Sequence, residues 1–171
     1  MRNALLAALA SLFVAGTAGA QATKKPATQK AEPRHATSRE TFVSVLSGGY
    51  EIPAVETAAT GTTELTLDGS RLRYRVDVES MKDVTGAYIH IGRAREDQPV
   101  VADLFEGLKA GPVSGLLASG TLRANDLHGT TMRRLEQALR KDDAYVTVHT
   151  RAHPGGELRG QLRIQPVVAS R

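Results

Sequence analysis

Apolar and polar residues alternate at period two through much of the chain from Phe42 onward, and this alternation restricts the fold more than any other feature. The clearest case is residues 71–78, RLRYRVDV, in which Leu, Tyr and Val alternate with Arg and Asp. Residues 62–67 have the same period, and Asp68 and Gly69 between the two segments supply the residues of a tight turn. Successive side chains of a strand point to opposite faces of a sheet, so the pattern predicts a β-hairpin with one buried face.

Other segments with the composition of strands are separated by glycine and proline. They are residues 42–46, 87–91, 100–104, 115–122, 144–150 and 158–164. Residues 131–141 differ, because their apolar side chains recur at the spacing of one helical face, and they predict a short helix that covers the core. About eight strands and one short helix predict an all-β domain, either an antiparallel Greek-key sandwich or a small barrel.

The first 20 residues have the three parts of a secretory signal peptide. Arg2 precedes an apolar run at residues 4–15, and Ala18-Gly19-Ala20 supplies small residues for cleavage after Ala20. The run is shorter than the roughly 20 residues that span a bilayer, and no later segment is apolar enough to do so. We therefore expect an exported protein, periplasmic or extracellular, with no membrane span.

Residues 21–41 contain no large apolar side chain and consist mainly of Ala, Thr, Lys, Pro and Gln. A segment of this composition cannot bury enough surface to offset the entropy lost on ordering, so it predicts a flexible linker. The linker is basic, with five Lys or Arg against two Glu. The predicted β domain then covers residues 42–165, and residues 166–171 form a C-terminal tail.

The net charge of +4 and the pI near 9.6 suggest nucleic-acid binding only until the charges are located. Residues 42–171 contain 16 Lys and Arg and 16 Asp and Glu, so the excess lies in Arg2 and the linker. The domain also lacks a phosphate-binding glycine loop and has few aromatic residues, which excludes nucleic acid from the expected partners. The absence of cysteine excludes disulfides, thiolate metal sites and a cysteine nucleophile.

The hydrophobic pattern fixes the register of the last predicted hairpin. Val146 and Val148 must share the core face with Leu158 and Leu162, so the numbers of paired residues must add to an even total. The opposite face then carries a polar row, which consists of Tyr145, Thr147, His149, Glu157, Arg159 and Gln161. Glu96 and Asp97 lie in a predicted loop instead, where adjacent carboxylates are usually solvated.

Three histidines are candidate metal ligands. His90 and His149 lie in predicted strands, and His153 follows in a turn. Zinc or copper needs imidazoles that converge on one point, with a carboxylate such as Glu157 that joins or orients them. Without HxH or HExxH spacing, the interpretation we favour is that each imidazole bonds locally in a polar network. We expect no cofactor, with copper or zinc as the alternative, and predict no catalytic residue, because no serine lies in a GxSxG turn.

Four segments resemble, in family order, the characteristic elements of the CHRD domain family: FVSVLSGGYEIPAV at residues 42–55, AYIHIG at 87–92, YVTVHT at 145–150 and PGGELRGQL at 154–162. The resemblance implies an all-β fold, an extracytoplasmic setting and no defined activity. The signature residues that it implies are Glu51, Pro53, Gly92, Tyr145, Glu157, Arg159 and Gly160. Three positions depart from the family pattern: Tyr88 replaces a usual histidine, Ala54 a proline and Thr147 an asparagine. The loss of that histidine removes one candidate ligand.

These observations lead to one expected function and one alternative. We expect a non-enzymatic exported module, structural or ligand-binding, whose partner is unknown and is either an envelope component or another protein. The alternative is a copper- or zinc-binding or redox protein, since the β-rich outline is similar to that of copper–zinc superoxide dismutase; this is a likeness of fold alone. In addition, the basic linker could adhere to an anionic envelope surface.

Overall fold

The period-two segments form one antiparallel sheet in the computed structural model, which describes residues 39–166. Its strands are β1 (Glu40–Ser47), β2 (Thr60–Asp68), β3 (Arg71–Ile91), β4 (Val100–Leu122), β5 (Ala144–Thr150), β6 (Leu158–Gln161) and β7 (Arg163–Gln165). One helix, α1 (Met132–Arg140), and two 3₁₀ turns, Gly48–Tyr50 and Ala124–Asp126, complete the described elements. The predicted signal peptide, nearly all of the predicted linker and residues 167–171 lie outside the described residues.

The strands follow the order β2-β1-β6-β5-β3-β4, and an additional pairing of β2 with β3 closes five of them into a ring. The first half of β3 pairs with β2 and its second half with β5, while β4 runs along the opposite edge and β7 adds to β1. The predicted all-β class, with a barrel or sandwich and one helix, is confirmed.

The described strands number seven rather than about eight. The predicted strands at residues 71–78 and 87–91 are the two halves of β3, and those at 100–104 and 115–122 both belong to β4, while 158–164 divides into β6 and β7. Between the two predicted strands the chain bends at irregular pairings and makes no turn, so β3 is one continuous strand. Ser80 and Asp83 in this bend have positive φ. Asp83 also accepts a hydrogen bond from the Gly111 amide across the bend.

Helix α1 closes one side of the core, as its apolar period predicts. The Thr131 hydroxyl caps the helix by accepting a hydrogen bond from the Arg134 amide at 3.3 Å. Leu135 and Leu139 are fully buried, and burial of each leucine stabilises the fold by about 1.5–3 kcal/mol. Within residues 39–166, we find no helix with the length and apolar character required to cross a membrane.

The register predicted for the last hairpin is confirmed. Val148 pairs with Leu158 and Thr147 with Arg159, so the paired numbers add to an even total. Most of the polar row opposite the core, however, is buried as well: Tyr145 is only 1% exposed, whereas His149 and Gln161 are half-buried. Both faces of β5 are therefore covered: the barrel core covers one, and loop residues cover the other.

Candidate functional site

Arg159 is the centre of a buried charged network on the outer face of β6. Its side chain is 3% exposed, and its Nε donates to Glu51 Oε2 at 2.8 Å while Nη2 donates to Asp97 Oδ1 at 2.8 Å. Nη1 donates weaker bonds to the carbonyls of Ala94 and Glu96, each at 3.4 Å. One guanidinium therefore attaches two loops to the barrel: the segment after β1 and residues 92–99.

Tyr145 attaches the same loop, residues 92–99, through its hydroxyl group. The hydroxyl donates to the Glu96 carbonyl at 2.8 Å and accepts from the Gln98 amide at 3.0 Å. Its ring lies between the Arg159 guanidinium, 5.0 Å from the ring centroid, and the His90 imidazole, which stacks on it at 4.6 Å. Burial raises the pKa of Tyr145, so this hydroxyl keeps its proton and its donor role.

The imidazoles of His90 and His149 are joined through the hydroxyl of Thr147. His90 Nδ1 lies 2.7 Å from the Gln98 carbonyl, which can only accept, so Nδ1 carries the proton and Nε2 is an acceptor. The Thr147 hydroxyl then donates to His90 Nε2 at 3.0 Å and accepts from His149 Nε2 at 3.0 Å. Burial is the main cause that lowers the pKa of both histidines below 6.5, which favours neutral rings at pH 7.

The predicted metal ligands do not form a three-ligand site in the described structure. His90 and His149 converge on the Thr147 hydroxyl, and each bonds to it. The backbone of His153 instead holds the turn after β5, since its amide donates to the Thr150 hydroxyl at 3.2 Å. Within residues 39–166, no three His, Asp or Glu side chains are placed to hold one metal ion. This donor set therefore does not fit copper or zinc held by three protein ligands.

A solvent-open cleft of about 730 Å³ lies next to the charged network. Glu51 and Gln161 lie in its wall, and Gln161 connects the two sides because its amide oxygen accepts from the Ala94 amide at 2.7 Å. Apolar side chains from β1 and the following turn line the cleft together with arginines. These lining residues are Val43, Val45, Tyr50, Ile52, Arg93, Arg95 and Arg163.

Comparison with known proteins identifies the family. The sequence model of the CHRD domain matches residues 42–162. The chain belongs to the CHRD domain family. The match runs from β1 to the residue after β6, so the CHRD domain contains the whole charged network. No curated protein and no solved structure gives a significant match to the chain.

Most signature residues of this CHRD domain hold its loops and strands together. Glu157 accepts hydrogen bonds from the hydroxyls of Thr57 at 2.8 Å and Thr150 at 2.7 Å, which joins the segment before β2 to the end of β5. Pro53 is exposed and follows a cis peptide bond. At Gly160, an added Cβ would overlap the carbonyl oxygen of Val45, so only glycine lets β6 approach β1 this closely.

Gly92, at the start of the 92–99 loop, has φ of +143°, a backbone conformation that favours glycine. Its carbonyl accepts from the Gln161 side chain at 3.2 Å, and its amide donates to the Asp143 carbonyl at 2.9 Å. An added Cβ would also lie 2.6 Å from the side chain of Gln98. Gly92 therefore sets the direction in which the loop leaves β3 and crosses the polar row.

The sequence interpretation missed two parts of the site. Asp97 was expected to be solvated, and although its side chain is 73% exposed it forms an ion pair with Arg159 that loop spacing alone does not reveal. The cleft did have a signal in the sequence. Phe42 and Leu46 occupy the core face of β1, so Val43 and Val45 fall on the outer face, where an apolar pair indicates a contact surface.

Proposed function

We propose that this chain is an exported, non-enzymatic ligand-binding module, in which the CHRD signature residues fix the walls of the cleft. The observation that supports it is the Arg159 network, because its charged side chains bond to each other and to loop backbone. The same bonds position the 92–99 loop and the turn after β1, and both line the cleft. The role of these buried charges is then to shape a binding surface.

Access also supports a non-enzymatic role. Among the groups with acid–base chemistry in or beside the polar row, Glu51, Glu157 and His90 are 6%, 8% and 7% exposed, and His149 is half-buried. A general acid or base must reach the proton that it transfers directly or through one water. Glu51 Oε2 accepts from Arg159, Glu157 accepts from two threonines and His90 donates to the Gln98 carbonyl, while Glu51 Oε1 is buried without a hydrogen-bond partner among the described residues. This arrangement agrees better with a binding surface next to these buried groups than with a catalytic centre built from them.

The proposed export rests on the amino-terminal sequence. Arg2, the apolar run at residues 4–15 and the Ala-Gly-Ala before Gln21 have the order of a cleavable signal, and residues 21–41 would then tether the domain to an envelope component or another protein. Cell fractionation with amino-terminal sequencing of the purified protein tests this. We expect mature protein that begins at Gln21 in the periplasmic or extracellular fraction. An unprocessed Met1 form confined to the cytoplasm would contradict export.

Metal analysis separates the proposed function from the copper or zinc alternative. The protein is purified, its metal content is measured, and thermal unfolding is followed with copper, zinc or a chelator. We expect less than stoichiometric metal and a midpoint that the chelator does not shift. His90→Gln tests the candidate ligand, and His128→Gln is the matched control, since His128 is exposed and pairs with Asp103 outside the network. Stoichiometric metal that is lost in His90→Gln and retained in His128→Gln would overturn the proposed function.

A further inference from the structure

We propose that the cleft binds a single-chain amphiphile with a phosphate monoester head and an alkyl chain. This inference rests on the proposed function, because it names the ligand class of the same cleft. The cleft combines two chemistries that such a molecule matches: an exposed apolar floor and an arginine rim.

The floor consists of four apolar or aromatic side chains that the fold leaves in solvent. Val43 and Val45 occupy successive outward positions of β1, and Tyr50 and Ile52 follow in the adjoining turn. Their exposed fractions are 36%, 68%, 59% and 44%. A contiguous exposed apolar cluster is typical of a binding surface, whereas isolated exposed apolar residues are common. An alkyl chain is the part of a ligand that this floor would remove from water.

The rim is positively charged in a domain that has no net charge. Arg93 and Arg95 lie in the 92–99 loop and line the cleft. Arg163 lies on β7, directly opposite Val43 of β1. Within residues 39–166, neither loop arginine forms an ion pair with a carboxylate, and Arg163 reaches only an exposed carboxylate, at 3.8 Å. The acidic side chain among the described lining residues is Glu51, which is buried and whose Oε2 pairs with Arg159 at 2.8 Å.

The number of arginines favours phosphate over carboxylate. Guanidinium groups form charge-assisted and often bidentate hydrogen bonds with both anions. A phosphate monoester carries a charge of about −1.5 to −2 at neutral pH and offers three strong acceptor oxygens. A carboxylate carries a single charge and two oxygens, so it can accept hydrogen bonds from fewer of the three arginines in the rim.

The backbone geometry favours a small ligand over an extended peptide. A peptide that joins a sheet needs a strand edge with free amides and carbonyls. The floor here is a strand face, and β1 already has β2 on one edge and β6 and β7 on the other. The volume of about 730 Å³ lies within the range of roughly 300–1,000 Å³ that is usual for small-molecule clefts.

The test is isothermal titration calorimetry of the purified protein with dodecyl phosphate below its critical micelle concentration. Separate titrations use dodecanoate, inorganic phosphate, uncharged dodecyl maltoside and a short peptide that alternates Glu and Leu. We expect saturable binding of one dodecyl phosphate per chain, and at least tenfold weaker binding of every other probe. Tighter binding of dodecanoate would overturn the phosphate assignment, and tighter binding of the peptide would overturn the small-ligand assignment.

Substitutions then locate the site. Arg93→Gln/Arg95→Gln and, separately, Val45→Ser should each weaken dodecyl phosphate binding at least tenfold while the far-UV circular dichroism spectrum stays unchanged. Arg71→Gln/Arg151→Gln is the matched control, because it removes two exposed arginines outside the cleft and should leave the affinity unchanged. The absence of saturable binding, or an equal loss in the cleft and control variants, would overturn the proposal.

The two proposals fail in different ways. Stoichiometric metal lost in His90→Gln would overturn the proposed function whatever the titration shows. A metal-free protein that does not bind dodecyl phosphate would overturn the ligand class and leave the non-enzymatic role of the CHRD domain standing.

Discussion

Arg159→Gln tests whether buried ion pairs hold the two loops on the barrel. The side chains of Arg159 and Glu51 are each 3% exposed, so the substitution leaves a buried carboxylate without its cation. Removal of one partner from a buried ion pair costs about 3–5 kcal/mol. Asp97 adds little to this cost, because its side chain is 73% exposed and water replaces its lost partner. We therefore expect the free energy of unfolding to fall by about 3–5 kcal/mol at pH 8.

The loss should be smaller in acid. Burial raises the pKa of Glu51 above 4.5, and Arg159 opposes this effect, so removal of Arg159 raises the pKa further. A carboxyl group whose pKa is higher in the folded than in the unfolded state takes up a proton on folding. Its stabilising contribution is fully present below the unfolded pKa and is lost as the pH rises through the folded pKa. The difference in stability between wild type and Arg159→Gln should therefore be larger at pH 8 than at pH 5.

Urea unfolding, followed by far-UV circular dichroism because the chain lacks tryptophan, measures both effects. Arg73→Gln is the matched control, since Arg73 is 51% exposed and lies 3.1 Å from Asp68. Exposed ion pairs contribute up to about 1 kcal/mol, so this control should lose no more than that. A loss in Arg159→Gln equal to that of the control, or the same at pH 5 and pH 8, would refute the reasoning.

Three further substitutions test other parts of the site by unfolding measurements. Gly160→Ala should unfold at a much lower urea concentration than Gly155→Ala, because the added methyl overlaps the Val45 carbonyl only at the first position; equal midpoints would contradict this. Thr147→Val should cost about 1–3 kcal/mol, because it leaves a buried imidazole nitrogen unbonded, and an unchanged midpoint would contradict that hydrogen bond. Because burial lowers the pKa of His90 and His149, the unfolded chain binds more protons than the folded chain below pH 6.5, and the free energy of unfolding should fall from pH 7.5 to 5.5. The double variant His90→Gln/His149→Gln should show a smaller fall. A fall as large as that of the wild type would assign the effect to other groups.

The parts of the fold that follow from side-chain period could be predicted from the sequence. The hairpin around Asp68 and Gly69, helix α1 and the pairing of Thr147 with Arg159 all follow from which side chains must share a buried face. The spacing of apolar side chains does not predict that β3 is one continuous strand. Its bend at Ser80 and Asp83 depends on hydrogen bonds to β4 residues about 30 positions away in sequence.

The sequence predicted which residues share the polar row of the candidate site, but it did not predict that they are buried. The polar row contains Tyr145, Thr147 and Arg159 as the register requires, yet the sequence gives no reason for all three to be buried. Their burial depends on the path of residues 92–99 across the row, which is set by bonds to Tyr145 and Arg159 over a separation of about 50–65 residues. The apolar period carries no information on such loop contacts, so the ion pair of Asp97 with Arg159 was not predicted and the cleft arginines were not singled out.

The chain contains no cysteine, so the loops beside the cleft are fixed without disulfides. Asp97, which Arg159 holds, lies in the same loop as Arg93 and Arg95, so the backbone that carries these arginines is ordered before a ligand binds. Binding sites that are ordered in advance lose less conformational freedom on association. Arg159→Gln should therefore weaken dodecyl phosphate binding several-fold, although Arg159 is not among the residues that line the cleft.

Calorimetry on folded protein, checked by circular dichroism in the same buffer, measures this loss of affinity, with Arg73→Gln as the control that should bind as wild type does. Local loosening of the 92–99 loop adds an ordering cost at each binding event, so the fall in affinity should come with a less favourable binding entropy. Folded Arg159→Gln that binds with wild-type affinity and entropy would show that the arginine rim keeps its position without the buried network. In that case the signature residues of the CHRD domain would stabilise the barrel without organising the cleft.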